Sequence, residues 1–436
     1  MAAAHVTTFP TETGRTAQDR AAWPSSVLIG GLFVVAAMTV SLRFGWVLGV
    51  RGGWAVPSDV WMTVNGGRFV WNGALGYVYQ GTISYALPLS FILIAPASGL
   101  IDRLGLTEGS PVPLPHPGAW LVIGPYTLVF GVFLLHAVRR LAWDVGVRSR
   151  LWLLQLAAVG IVLVPAFDWG HFEDVLALTA VIWALRRIIT GDYVRAALYL
   201  SVAVSFKQWA VLLLPFAIAA APRGERLRSL LAGVALPGAF TLYLLGVDWK
   251  DASKALFLPT NPLSGFEGHG AVFVDWFGRH TSTVTRSTAT LLAAWTGWRL
   301  RGVRDAPGII AVAALILVLR PLFEPVTFAY YWSPALVLAG LAGVAATQRI
   351  LASQWALLLV ATLWTLPKSN PATAGLWWGG YLIILAVAAW QVLGALTGRS
   401  FRLGRLLRLR VKPPGAEPIL HSMTTAAVLG ESPWNR

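Results

Sequence analysis

The chain has 436 residues, 56% of them hydrophobic and only 12% charged, where a soluble globular domain carries about a quarter charged. Its mean hydropathy is +0.65, and its apolar residues gather in runs of roughly 17–25, the length that crosses a bilayer; this predicts an all-α polytopic membrane protein and excludes a soluble fold. The net charge of +15 comes with no nucleic-acid-reading motif, so it reads as arginine sorted to one side of a membrane, and the absence of cysteine excludes disulfides and thiolate metal sites.

Residues 1–24 read as a cytoplasmic tail with Arg15 and Arg20. The first span, residues 26–50, leaves the cytoplasm as an uncleaved helix, since no small-residue cleavage site follows it. Many of the 22 tryptophans flank span ends, Trp46, Trp54, Trp169, Trp249, Trp276, Trp377 and Trp378 among them, as interfacial belts require. Next comes the stretch 56–96, with Asp59 near its start and a Gly- and aromatic-rich loop after it. Residues 85–100 carry Pro88 and Pro96 and lack flanking positive charge, which predicts a re-entrant or interfacial helix in this first outer loop.

A firm span over 116–137 runs into Arg139, Arg140, Arg148 and Arg150, the strongest cytoplasmic marker of the first half. The span 151–166 then travels outward and delivers Phe-Asp-Trp-Gly-His-Phe-Glu-Asp (167–174); the span 175–189 returns to Arg186, Arg187 and Arg195. Residues 196–221 are apolar but interrupted by Ser-Phe-Lys-Gln-Trp (205–209), with arginines beyond both ends. They predict a hairpin tipped by Lys207 that reaches toward the outer face. The span 230–246 leads to the longest polar loop, 248–285, and further spans are expected at 286–298, 306–319, 327–345, 351–366 and 374–396. The tail from 399 to 436 begins with a basic segment, 399–412, suited to the anionic inner leaflet. The scheme has about twelve crossings, both termini cytoplasmic and one membrane domain over 25–398.

Few residues in such a chain can carry chemistry. Asp59 is either functional, as an ionisable group at membrane depth usually is, or with Ser58 it caps a short helix that begins at Val60. Asp168, His171, Glu173 and Asp174 form a titratable cluster without metal-ligand spacing; the plain alternative is a solvated loop with Asp174 at a helix N-terminus. Lys207 needs a partner or an anionic ligand, unless it snorkels to the interface beside Gln208 and Trp209. His269, Arg279, His280 and Arg320 are candidates for an anion or for sugar hydroxyls, against a solvated loop and a structural Arg320–Glu324 pair. Tyr330, Tyr331 and Trp332 read as interfacial packing, although aromatic faces also stack on sugars.

Ser58-Asp59 after an outward first span, then Gly67, Gly73, Tyr77 and Tyr79, then Tyr85 to Pro88, form a pattern. With the later G-H-F-E-D-V-L-A-L and S-F-K-Q-W-A-V-L-L-L-P it resembles the polyprenol-phosphate-mannose-dependent mannosyltransferases, a family of C-type membrane glycosyltransferases. The likeness covers residues 46–222 and departs from the family at Tyr85-Ala86-Leu87-Pro88, where members read Y-P-P. The resemblance implies a C-type fold that moves a sugar, mannose first, from a polyprenyl-phosphate donor to a glycolipid or glycan on the extracytoplasmic face of the plasma membrane. By the same likeness Asp59 is general base in a single inverting displacement. Lys207, His171 and Arg320 meet the donor phosphate, while Asp168, Glu173, Asp174, Tyr85 and His269 contact substrate. No metal or other cofactor is called for. The alternatives are an arabinofuranosyltransferase of the same fold, a transporter or lipid-carrier flippase, and a membrane scaffold. The Asp59 loop has no counterpart in the second half, which counts against a repeat-built transporter. The topology is checked with an N-terminal epitope tag, which is expected to be reached only after the cells are permeabilised; a tag accessible from outside overturns the scheme.

Overall fold

The computed structural model describes residues 12–47, 58–80, 86–106, 117–257, 281–323 and 329–347, with isolated helical positions between 386 and 397. The chain divides into two units, Met1–Ser400 and Phe401–Arg436, and the second lies outside the described residues, as does the expected basic segment 399–412. Among the described residues every regular element is helical. Four stretches among the described residues are long and apolar enough to cross a bilayer: Trp23–Val40, Gly118–Asp144, Arg223–Val247 and Ala306–Phe323. Leu151–Phe167, Tyr193–Phe206 and Gln208–Ala220 are apolar and shorter. The expected span 351–366 and most of 374–396 fall outside the described residues.

The first helix, α1 (Glu12–Val47), starts well before the expected residue 26 and continues through Pro24. The short helix expected under one of the two readings of Asp59 is present as α2 (Ser58–Trp71); it starts at Ser58 rather than Val60 and takes in part of the expected loop. Gly67 is therefore helical, and only Gly73, at φ 75°, supplies a turn. The segment expected to be re-entrant or interfacial is a helix, α3 (Pro88–Arg103), opened by Pro88 at its first position. A Cβ on Gly66 would lie 2.3 Å from the Phe91 ring, and one on Gly99 2.3 Å from the Trp71 ring, so the missing side chains let α2 and α3 close on each other. Arg68 ties the pair together with bonds of 2.9 and 3.1 Å from Nε to the two Asp102 oxygens.

The expected span 116–137 is two helices, α4 (Pro117–Leu128) and α5 (Phe130–Asp144), divided at Val129. The outward return is α6 (Leu151–Ala158), a π-turn (Val159–Leu163) and α7 (Val164–Trp169), with Gly170 at φ 78° turning the chain into α8 (Phe172–Ile189). Helices α5 and α8 run side by side in the same sense. Phe130 meets Phe172 at their first turns, with ring centroids 5.9 Å apart, and Arg186 Nε donates to Asp144 Oδ2 at 2.5 Å at their last.

The interrupted segment is α9 (Tyr193–Phe206), an extended Lys207, a 3₁₀ stretch (Gln208–Leu213) and α10 (Leu214–Ala220). At rises of about 1.5 Å per α and 2.0 Å per 3₁₀ residue, its two limbs are each roughly 21–22 Å long. The 3₁₀ stretch thus lets the residue-poor limb match α9. Arg304 closes the hairpin base, with Nη1 donating to Tyr193 Oη at 2.6 Å and to the Ala220 carbonyl at 2.9 Å.

After α11 (Arg226–Val247), the polar loop expected from 248 opens with a helix, α12 (Trp249–Phe257); residues 258–280 lie outside the described set. Then follow α13 (Thr281–Arg299), α14 (Ala306–Phe323) and α15 (Ser333–Thr347). Asp305 caps α14 by accepting from the Gly308 amide at 2.9 Å. The core joins α5 through α10 to α14 and α15, with Leu134, Ile161, Leu178, Phe216 and Ile310 fully enclosed. The bundle has two unlike ends. Arg139, Arg186, Arg226 and Arg304 mark one, and the hairpin tip, the α8 N-terminus and the end of α14 meet at the other.

Substituting Gly66 by Ala is expected to destabilise the protein by about 1–3 kcal/mol through overpacking on the enclosed Phe91. Gly31→Ala, whose Cβ meets nothing within 4 Å, should be neutral or stabilising by up to about 1 kcal/mol. Thermal melting of the two variants in one detergent checks the contrast.

Candidate functional site

Four separate pieces of chain bring ionisable side chains to the end of the bundle away from the arginines. Asp59 enters from the first turn of α2, whose Thr63 hydroxyl donates to the Asp59 carbonyl at 2.8 Å. Gly170, left-handed, ends α7 and sets His171, Glu173 and Asp174 at the start of α8, where the helix N-terminus favours carboxylates. The break between α9 and the 3₁₀ stretch presents Lys207 with φ −148° and ψ 127°. The last turn of α14 carries Arg320. The carbonyl of Phe206, beside the break, accepts from Ser90 Oγ of α3 at 3.5 Å.

These groups form one chain of contacts. Asp59 Oδ2 lies 3.1 Å from His171 Nε2, and His171 Nδ1 lies 3.1 Å from Glu173 Oε1. Lys207 Nζ sits 2.6 Å from the same Glu173 oxygen, 3.3 Å from His171 Nδ1 and 3.6 Å from Asp174 Oδ2. Trp209 Nε1 donates to Asp174 Oδ1 at 2.5 Å, and Arg320 Nη1 is 3.8 Å from that oxygen. Aromatic rings wall the cluster: Tyr330 lies on His171 with centroids 4.3 Å apart, and the Arg320 guanidinium stands 3.9 Å over Tyr331.

Exposure divides the members. The Asp59 side chain is 33% exposed, whereas those of His171, Glu173, Asp174, Lys207 and Arg320 are at most 13% exposed. Asp59 is therefore the carboxylate an incoming molecule meets first. Burial pushes its acidity toward weaker, but the His171 imidazole and the more distant Lys207 charge outweigh burial and hold the carboxyl below its ordinary pKa. Burial and Lys207 push His171 down, while its pairing with Asp59 and Glu173 pushes it up, and the net shift is upward.

Sequence expectations met this geometry unevenly. Asp59, His171, Glu173, Asp174, Lys207 and Arg320 come together. Lys207 does not snorkel to an interface: it is buried against two carboxylates, which take up the charge expected to face a phosphate. His171, expected at that phosphate, is likewise held between two acids. Asp168 lies on α7, close in sequence to the cluster, and only its backbone is described. Tyr85, His269, Arg279, His280 and Glu324 lie outside the described residues, and Arg320 turns toward Asp174. Sequence reasoning passed over Trp209 as a hydrogen-bond donor and Tyr330 and Tyr331 as walls. The adjacency of Trp209 to Lys207 was the available signal for the first.

Two further facts bear on chemistry. Among the described residues no group of three or more His, Asp or Glu side chains is arranged to hold a metal ion; the Lys207 ammonium already stands between the acids. Among the described residues, His171 Nε2, Glu173 Oε2, Asp174 Oδ2 and Arg320 Nη1 of this cluster are buried without a hydrogen-bond partner, in contrast to more than about nine in ten buried polar groups in native proteins. Such atoms suit a ligand that brings both hydroxyl donors and an anionic acceptor. No protein-family model and no curated protein matches the chain.

Removing the Lys207 charge should be costly, because Glu173 and Asp174 would remain buried without their cation. Lys207→Met is expected to destabilise by about 3–5 kcal/mol. The double variant Lys207→Met, Glu173→Gln should recover part of the loss, as read from melting temperatures in detergent.

Proposed function

We propose that this chain is an integral-membrane glycosyltransferase. It moves a sugar, mannose first, from a polyprenyl-phosphate donor to a hydroxyl of a glycolipid or glycan acceptor. The observation that carries this reading is the assembly of Asp59, His171, Glu173, Lys207, Asp174 and Arg320 into one cluster with Asp59 at its open side. In this mechanism Asp59 takes the proton of the acceptor hydroxyl as its oxygen attacks C1 of the donor sugar. The C1–O bond to phosphate breaks, the polyprenyl phosphate leaves with the bonding electrons, and the anomeric centre inverts. Arg320, whose Nη1 makes no hydrogen bond among the described residues, is the foremost contact for the leaving phosphate, and Lys207 offsets the Glu173 and Asp174 carboxylates that would otherwise repel it. Glu173 Oε2 and Asp174 Oδ2 are suited to accept from sugar hydroxyls. A low-pKa base is weak, so this scheme places most of the catalysis in phosphate stabilisation and alignment.

Orientation in this reading follows from charge. The arginine-marked end of the bundle is assigned to the cytoplasm, which puts the cluster on the extracytoplasmic side of the plasma membrane. One feature favours a second reading. Lys207 breaks an apolar hairpin inside the bundle, and discontinuous helices around a buried charge are also how secondary transporters hold substrate.

Membranes from an overexpressing strain, incubated with labelled polyprenyl-phosphate mannose or arabinofuranose, should yield a labelled glycolipid or glycan. Asp59→Asn should insert normally and lower transfer by at least about 100-fold, the lower range for a general base. A fully active Asn variant overturns the base assignment, and donor-dependent uptake without a glycosylated product supports the transporter.

A further inference from the structure

The role of His171 in this cluster is decided by what each ring nitrogen faces. Nε2 lies 3.1 Å from a carboxylate oxygen of Asp59. A bare nitrogen there would set lone pair against lone pair, so Nε2 carries a hydrogen. Nδ1 lies 3.1 Å from Glu173 Oε1, an acceptor, and 3.3 Å from the Lys207 ammonium, a donor. With a proton on Nδ1 as well, the ring is a cation hydrogen-bonded to Glu173 and ion-paired with Asp59; without it, Nδ1 accepts from Lys207. The charges around it favour the first state. Among the described residues of the cluster, Asp59, Glu173 and Asp174 contribute three negative charges, and Lys207 and Arg320 two positive ones. The cluster is largely closed to water, where an uncompensated charge is costly. The Tyr330 face, 4.3 Å from the ring, adds no formal charge.

We infer that His171 is a positioning residue: it supplies the third positive charge of the cluster and holds the Asp59 carboxylate by Oδ2, joining it to the Glu173–Lys207 pair. This replaces a direct contact between His171 and the donor phosphate. The acidity shifts of Asp59 and His171 run in the directions such a pair requires. The consequence for catalysis rests on the base role proposed above, whereas the ion pair itself does not.

The pair is read without turnover by carbodiimide labelling, which captures carboxyl groups in their protonated form. Purified protein in nanodiscs is treated with dicyclohexylcarbodiimide across a pH series, and adduct at Asp59 is quantified by peptide mass spectrometry, with Asp59→Asn as the blank. Wild-type labelling should have its midpoint below the ordinary aspartate value of about 3.9. His171→Gln keeps a hydrogen-bond donor but no charge, and should raise the midpoint by about one pH unit or more. His171→Leu removes both and should raise it further. Coincident curves for the three proteins overturn the inference. Should neither variant fold, a wild-type midpoint above about 3.9 overturns it by itself, and one below supports it.

A turnover arm separates this inference from the glycosyltransferase reading. His171→Gln should lower kcat at least tenfold with the donor KM little changed, and should move the acid limb of the pH profile upward with the labelling midpoint. A merely structural histidine would lower the melting temperature and leave that limb in place. A shifted labelling curve in a protein with no transferase activity retains the ion pair and sinks the transferase; active transfer with an unshifted curve does the reverse.

Discussion

The interaction on which this end of the molecule depends is the buried contact of Lys207 with Glu173 and Asp174. A lone ammonium or carboxylate so far from water is costly enough to be neutralised or to unfold its surroundings. Each of these three is tolerable because the others are there. The requirement reaches into the backbone. Lys207 arrives at the acids because the helix ends at Phe206, and the acids arrive together because α8 begins just before them. Trp209, two residues further, gives Asp174 a hydrogen bond that the lysine alone would not supply. Removing water from the cluster also strengthens whatever field it presents to a bound molecule.

The rest of the bundle serves to hold these pieces at one height. Parallel helices α5 and α8 are pinned at both ends, by Phe130 on Phe172 and by Arg186 on Asp144. Arg304 fastens both feet of the hairpin, so that its tip is located from a base roughly 20 Å away. Helices α2 and α3 add Asp59 from the side, and their approach relies on glycine where they cross. The asymmetry of the two ends then has a simple origin. Loops at one end need only be basic and wet, whereas those at the other must satisfy one another.

Much of this was legible beforehand, for identifiable reasons. The sense of each helix from α5 to α11 followed from where arginines fall between apolar runs. The candidate acids and cations stood out because charge is so scarce in this chain. Asp59, His171, Glu173, Asp174, Lys207 and Arg320 could therefore be singled out one at a time. Their pairing could not, because it is made by contacts between residues as far apart as Asp174 and Arg320 and depends on side-chain direction. That is why Lys207 looked free for a phosphate when it is held by acids, and why the approach of Arg320 to Asp174 was not foreseen. Helix limits failed for a different reason. Gly66 and Gly67 carry low helical propensity, and their close contact with α3 overrides it.

The π-turn at Val159–Leu163 has a consequence for how this chain is compared with others. Such a turn accommodates one residue more than a regular helix of the same rise, and one residue corresponds to about 100° of rotation. An alignment that threads an unbroken helix through this segment without a gap will hold phase up to Ala158 and then slip. Every position from Val164 to Trp169 will be assigned the wrong side of the rod. A homologue lacking the extra residue would carry its match to Asp168 one column away from where identity scoring looks for it.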